Sequence, residues 1–447
     1  MRIMTATKTS AESESSGIAD SRRQTALPVS SRSSITIRSP QSSLLTRFLD
    51  NETQINESGH AASPIPALLE DAQRERVSDI HIDPTRDGYQ MRFRIDGVLM
   101  EVALFDRDLG LHLLRSFKSQ ADLDPGFERK PQSGRADFVV AGRPISVRVA
   151  TAPGVHGEKV VLRLLTAEAA SLSLHQLGLS DRDHDRIVSH VQDVRGMILV
   201  SGPTGAGKTT TLYALVRELQ RSSRSIVTLE DPVEGAIDGV TQIQINEKQG
   251  LTFAEGMSGL LRLDPDIVAI GEMRDTTSAR AALEVAQAGH ACLSTLHARD
   301  VAATISVLRN FGITDQEIAC SVDLVVSQSL VRRLCESCRK EASPSDAETK
   351  ALVAWGQPVP PRTWQAVGCQ ECAASGYRGR MGVFEVHRMG EQDAALIQAH
   401  ADERTLRHHI KHHGTGSLLD DLLLKAAKGE TSIAEIQGVR GFGFFAR

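Results

Sequence analysis

Residues 202–209 read Gly-Pro-Thr-Gly-Ala-Gly-Lys-Thr, an arrangement that leaves a chain few choices of fold. Gly202, Pro203, Thr204, Gly205, Ala206, Gly207, Lys208 and Thr209 fill the phosphate-binding pattern GxxxxGK[ST] at every required position. The apolar run 197–200 precedes the pattern, and residues 210–220, opening at Thr210, read as a helix. Glycines let successive backbone N–H groups curl around phosphate oxygens, and the helix N-terminus adds positive potential. Lys208 would reach the β- and γ-phosphates, and the Thr209 hydroxyl would hold Mg²⁺, so ATP and Mg²⁺ are the expected ligands. A chance glycine-rich turn is the competing reading, and it leaves the flanking strand and helix unexplained.

The runs 196–201, 226–229, 267–270 and 291–294 are short, nearly all apolar, and separated by helical stretches. Strands of that kind are buried on both faces, which argues for an α/β fold with a parallel sheet between helices. Upstream, residues 91–95 alternate as a strand and stop at Asp96-Gly97, a hairpin-turn pair. Further strands around 137–140 and 145–150 join through Gly142-Arg143-Pro144, and the run 160–165 ends a small α+β domain. The first 64 residues hold 14 serines and little apolar periodicity, the composition of a disordered tail. Residues 44–49 read either as a short amphipathic turn or as part of that tail. The expected divisions are a serine-rich tail (1–64), a small α+β domain (65–168), a nucleotide domain (169–334), a cysteine module (335–380) and a helical region (381–447).

Carboxylates complete the site. Glu272 ends the strand 267–270, and strand carboxyl ends are where ligands of α/β sheets lie. From there Glu272 would polarise a water for attack on the γ-phosphorus. Asp264 and Asp266 flank Pro265 before that strand and read equally as turn-capping residues or as nucleotide contacts. Glu230, Asp231 and Glu234 crowd around Pro232 at another strand end, a costly arrangement without cations or solvent. Glu230 is the expected contributor to Mg²⁺ or water positioning. His290 and His297 flank a further strand, and His297, following the Glu272 strand, is the better candidate for sensing the γ-phosphate.

Cys335-x-x-Cys338 and Cys369-x-x-Cys372 are two paired knuckles. Four thiolates close a tetrahedron with no open position, so a structural Zn²⁺ site is expected, with disulfides as the competing reading. Cys292 and Cys320 sit singly in apolar patterns and read as core residues. The pairs His408-His409 and His412-His413 read as a metal-binding helix face or, more simply, a solvated one. Fifty-one basic against 56 acidic residues and 4% aromatics argue against direct nucleic-acid binding, which needs basic tracks and stacking platforms. No apolar run reaches the length of a membrane-spanning helix, so a soluble cytoplasmic protein is expected.

Taken in order, residues 78–83 (SDIHID), 92–99 (RFRIDGVL), 148–165, the phosphate loop, 229–234, 261–275 and 290–297 resemble the secretion ATPase superfamily. The likeness is to the assembly ATPases of type II secretion and type IV pili, and it covers roughly residues 66 to 440. It implies a PAS-like small domain, a RecA-like domain, and a homo-hexameric ring holding ATP between them. It implies partners too: an inner-membrane platform and adaptor proteins, hence a cytoplasmic protein peripheral to that membrane, with no direct nucleic-acid contact. Glu230 falls on the acidic box of the family, Glu272 on its atypical Walker B glutamate and His297 on its histidine box. Arg148 and Arg163 fall on the arginines that the small domain presents to the nucleotide, and Arg274 also matches a family arginine. The four-cysteine element fits the assembly branch.

Two features depart from the family. Glu255 and Ser258 stand where arginines are common, and a serine-rich segment stands where a large adaptor-binding domain is usual. The expected function is a hexameric ATPase that powers pilin or pseudopilin assembly. The alternatives are a motor for DNA uptake or conjugation, and a nucleotide-binding scaffold with little turnover.

Overall fold

The computed structural model describes residues 35–36, 45–48, 64–127, 129–165, 171–191, 196–220 and 224–438. Most of the serine-rich segment lies outside them. The part that is described departs from the expected tail. Strand β1 (Ile35–Thr36) adds to the edge of the first sheet, and Leu45 and Phe48 are fully buried in the small domain's core. The Phe48 N–H donates to the buried Asp71 carboxylate at 2.9 Å. Two large apolar residues spaced i, i+3 put both on one helix face, so even one helical turn buries enough surface to stay docked.

The small domain is one antiparallel sheet in the order β1-β4-β3-β2-β7-β6-β5. Its other strands are β2 (Val77–Pro84), β3 (Tyr89–Ile95), β4 (Val98–Phe105), β5 (Gln132–Val140), β6 (Arg143–Gly154) and β7 (Gly157–Leu165). Helices α1 (Ile65–Arg74) and α2 (Arg107–Gln120) pack on one face, where Leu68, Leu69, Leu113 and Phe117 meet Ile80, Ile82 and Leu162. The period-2 alternation of the strands leaves the other face polar. Asp79, His81 and Asp83 share that face of β2.

The larger sheet runs β10-β9-β11-β12-β8-β13-β16. In chain order the elements are α3 (Asp181–Val191), β8 (Met197–Ser201), α4 (Lys208–Gln220), β9 (Ile226–Glu230), β10 (Thr241–Gln244), α5 (Phe253–Leu260), β11 (Ile267–Ile270), α6 (Thr276–Gln287), β12 (Ala291–Leu296), α7 (Val301–Asn310), α8 (Asp315–Ser321) and β13 (Val322–Leu334). These strands are all parallel, as the apolar runs of β8, β9, β11 and β12 predict. Successive residues serve opposite cores. Ile198 and Val200 of β8 pack under α3 and α4, while Met197 and Leu199 pack against α6 and α7.

The cysteine module follows, with β14 (Lys340–Ala342), α9 (Asp346–Ala354) and β15 (Thr363–Gln365). The expected boundary at residue 380 falls inside a strand. β16 (Tyr377–Arg388) pairs antiparallel with β13 over almost its whole length and closes the edge of the main sheet. The helical region is therefore the continuation of a sheet strand: α10 (Glu391–Gln398), α11 (Glu403–His412), α12 (Leu418–Ala427) and α13 (Ile433–Gly438) pack back onto it. The small domain touches the module, where the Gly379 N–H donates to Asp96 at 2.7 Å and Ala373 packs on the small domain's core. No helix among the described residues is long and apolar enough to cross a membrane.

Candidate active site

The loop 202–207 turns from the end of β8 into the start of α4, at the carboxyl edge of the sheet. Gly205 and Gly207 have φ of +79° and +83°, conformations open to glycine and strained for other residues. A side chain at Gly202 would put its Cβ 2.4 Å from the Gln328 carbonyl oxygen. Gln328 also donates its Nε2 to the Ala206 carbonyl at 2.6 Å. It is buried on β13, one strand away, and braces the loop from behind. Next to it the hydroxyls of Ser201 and Ser327 meet at 2.5 Å.

Lys208 is buried, and its Nζ donates to the Gly202 carbonyl at 3.1 Å and to His297 Nδ1 at 3.2 Å. Burial holds the ammonium below its ordinary pKa, with the charge of Glu272 working the other way. His297 lies at the end of β12, and its Nε2 is 2.6 Å from Glu272 Oε1. An ammonium can only donate, so His297 Nδ1 is the acceptor of that bond and Nε2 is the nitrogen facing Glu272. Arg274 donates its Nε to the other Glu272 oxygen at 2.6 Å and reaches Asp231 at 3.5 Å. Burial acts to raise the Glu272 carboxyl, but the Arg274 hydrogen bond and the charges of Arg274 and Lys208 outweigh it and hold the group below the usual range. Glu272 is an ionised carboxylate at the phosphate loop.

The acidic turn divides its labour in a way that spacing alone does not reveal. Glu230 is buried and fully engaged: Tyr213 at 2.5 Å, Thr228 at 2.6 Å and Gln242 at 3.0 Å all donate to it. Glu234 is the carboxylate hydrogen-bonded to Thr209, the last residue of the phosphate-loop pattern. Burial, then the charge of Glu230, raises its pKa, while the Thr209 hydrogen bond and the charge of Arg163 oppose the rise. The charge of Arg163, on the small domain, is therefore felt at this carboxylate. Arg163 on β7 and Arg148 on β6 are direct cross-strand partners, both exposed on the polar face of the sheet.

Other candidates fall elsewhere. Asp264 and Asp266 precede β11 at the amino edge of the sheet, opposite the phosphate loop, and Asp266 accepts the Ser225 N–H at 2.7 Å. Theirs is the turn role. His290 precedes β12 at the same remote edge. Glu255 closes a capping box with Thr252 at the start of α5, which is what that carboxylate does in place of an arginine. The His408 ring lies tilted against His412 and the His409 ring against His413, and His409 Nε2 lies 3.3 Å from Asp393, which His387 also contacts.

The four module cysteines are the one group of three or more potential metal ligands among the described residues. Their Sγ–Sγ distances are 3.8 Å for Cys335–Cys369 and Cys338–Cys372, and 3.7 Å for Cys369–Cys372. Zn–S bonds of about 2.3 Å place the sulfurs of a tetrahedron about 3.8 Å apart, so the group fits the ion. Backbone N–H groups of Cys369 and Gly376 donate to the Cys372 sulfur at 3.1 and 3.2 Å, as thiolate ligands accept.

Comparison with known proteins agrees with this geometry. Residues 54–438 match the family described as Type II/IV secretion system protein. The type II secretion system ATPase E of Vibrio cholerae is 41% identical over 375 residues, covering 84% of this chain and 74% of that one. The type II secretion system protein E of Pseudomonas aeruginosa is 40% identical over 372 residues, 83% of this chain and 74% of that one. Among solved structures, the Legionella pneumophila ATPase DotB superposes with a TM-score of 0.62 at 21% identity, covering 83% of this chain and 94% of that one. The ADP-bound pilus retraction motor PilT gives 0.57 at 21% identity, covering 84% and 96%. The chain belongs to the type II/IV secretion system protein family, as a RecA-like P-loop ATPase of the secretion-motor kind.

Proposed function

We propose that this ATPase works as a homo-hexameric ring at the cytoplasmic side of an inner membrane. Platform and adaptor proteins recruit it there, and its turnover drives pilin or pseudopilin assembly for type II secretion or a type IV pilus. Lys208 and the loop amides bind the β- and γ-phosphates of ATP. Thr209, with Glu234 behind it, holds Mg²⁺, which would neutralise charge developing on the phosphates. Glu272 orients and polarises the attacking water, and His297 couples that carboxylate to Lys208. Glu230 fixes the floor of the site through Tyr213 and Gln242. Arg163 and Arg148 supply positive charge from the small domain, so opening and closing between the domains changes the site's electrostatics and performs the work. The module cysteines would hold a structural Zn²⁺ that orders the tip of the β13–β16 pair.

The observation that carries this reading is the continuous contact Lys208–His297–Glu272–Arg274, an ionised base linked to the phosphate lysine. The test is ATPase rate per subunit against protein concentration for the Mg²⁺- and zinc-loaded chain, beside Lys208→Ala. A rate that rises with concentration and vanishes in the variant supports a ring with shared sites. Tight nucleotide binding with no turnover at any concentration, even with membrane partners added, overturns the motor.

A further inference from the structure

On the polar face of the small domain's sheet, five charged residues stand in one cross-strand row. Their Cα partners run Arg94–Asp79–Arg163–Arg148–Arg135 across β3, β2, β7, β6 and β5. The row holds four guanidinium groups and a single carboxylate. Like charges directly opposite one another repel, so Arg163 has Asp79 on one side and the repelling Arg148 on the other.

Asp79 itself is only 6% exposed, whereas the Arg163 side chain is 61% exposed. A buried anchor thus holds a solvent-facing cation. Arg163 donates its Nε to Asp79 Oδ1 at 2.9 Å. The second oxygen, Oδ2, accepts from the Ser78 hydroxyl at 2.9 Å and lies 3.6 Å from the Arg94 Nε, which fixes the carboxylate plane. A guanidinium bound through Nε shares that edge with one terminal nitrogen and keeps N–H groups of both terminal nitrogens on its far end for another partner. The charge of Arg163 is felt at Glu234, the carboxylate hydrogen-bonded to Thr209.

We infer that Asp79 is a positioning residue for ATP hydrolysis: it holds Arg163 by its Nε edge so that the terminal nitrogens meet the phosphate site. The inference rests on the role proposed above for Arg163. An ion pair to so exposed an arginine contributes little to stability. Its value lies in removing, before nucleotide arrives, the freedom of a long side chain, a freedom that corresponds to a factor of about 30 in rate.

The test is steady-state ATPase kinetics of the full chain for Asp79→Ala, Asp79→Asn, Arg163→Ala and the double variant, with fluorescent-ATP binding and a thermal unfolding curve for each. Asp79→Ala should lower kcat by about 10- to 30-fold while KM and nucleotide affinity move by less than about twofold. Asp79→Asn, which keeps the shape and one acceptor oxygen, should lose less. The double variant should be no slower than Arg163→Ala alone, because the anchor has nothing left to hold. A slow Arg163→Ala beside a wild-type Asp79→Ala overturns the inference and leaves the arginine role standing, and so do losses that multiply in the double variant. A wild-type rate for Arg163→Ala overturns the arginine role beneath it. Should Asp79→Ala lose its unfolding transition, Asp79→Asn combined with Arg163→Ala makes the same comparison in a folded protein.

Discussion

Lys208 Nζ donates to Nδ1 of His297 across 3.2 Å, joining the phosphate loop to the far end of β12. One imidazole therefore touches both Lys208 and the Glu272 carboxylate. Replacing His297 by Ala frees both groups without removing either. A fall in kcat of about 10- to 100-fold, within the range for a group that positions a base, is expected, with ATP affinity nearly unchanged. Glu272→Gln should fall by more than about 100-fold, since it removes the ionised oxygen itself. Single-turnover hydrolysis separates the two effects from product release.

Gln328 braces the loop through one hydrogen bond to a carbonyl that the loop's curvature leaves pointing inward. Gln328→Leu keeps the volume and removes the donor. Leaving the Ala206 carbonyl unpaired costs about 1–3 kcal/mol, which should appear as roughly tenfold or more weaker ATP binding. Isothermal titration with ATP reads it directly, and unchanged affinity would remove Gln328 from the site.

Zinc is expected at about one ion per chain by elemental analysis, bound by thiolates. Cys338→Ser or Cys372→Ser should abolish retention of the ion and lower the Tm. A strong chelator should do the same to the wild type, and added Zn²⁺ should restore it.

Glu385 lies on β16 beside the N-terminus of α7, and burial, reinforced by the charge of Asp300 and opposed by Arg407, lifts its carboxyl from 4.5 to about 8. Between those values the folded chain holds a proton that the unfolded chain has lost, so this group's contribution falls as pH rises from about 4.5 toward 8. Glu385→Gln removes the dependence. Its Tm should exceed that of the wild type by several degrees at pH 8 and match it near pH 5. Equal Tm values at both pH values would show that Glu385 ionises without cost.

What could be read from the sequence follows from how local each determinant is. That the glycine loop, Glu272 and His297 come together was legible because each lies within two residues of a strand end, where a run of apolar residues announces the strand and its carboxyl edge. The cysteines were legible because ligand spacing is a sequence property. Glu234 was not: it stands four residues past Glu230 in one turn, and which of the two reaches Thr209 depends on how Tyr213, Thr228 and Gln242 capture Glu230. Gln328 was hidden for a different reason, since its neighbour Ala206 is over a hundred positions away and only the pairing of β13 with β8 brings them together. The buried Leu45 and Phe48 were masked by the serines around them.

The way β13 and β16 run together has a consequence for the cysteine module. Leu334 and Tyr377, which bound it, are cross-strand partners, so the chain leaves the sheet and returns to it at the same rung. The module is an appendage on a closed hairpin: a relative could shed it by exchanging some forty residues for a tight turn and keep every strand of the ATPase sheet in register. What it would lose is the rest that Ala373 takes on the small domain's core, while Gly379, on β16, would keep its bond to Asp96.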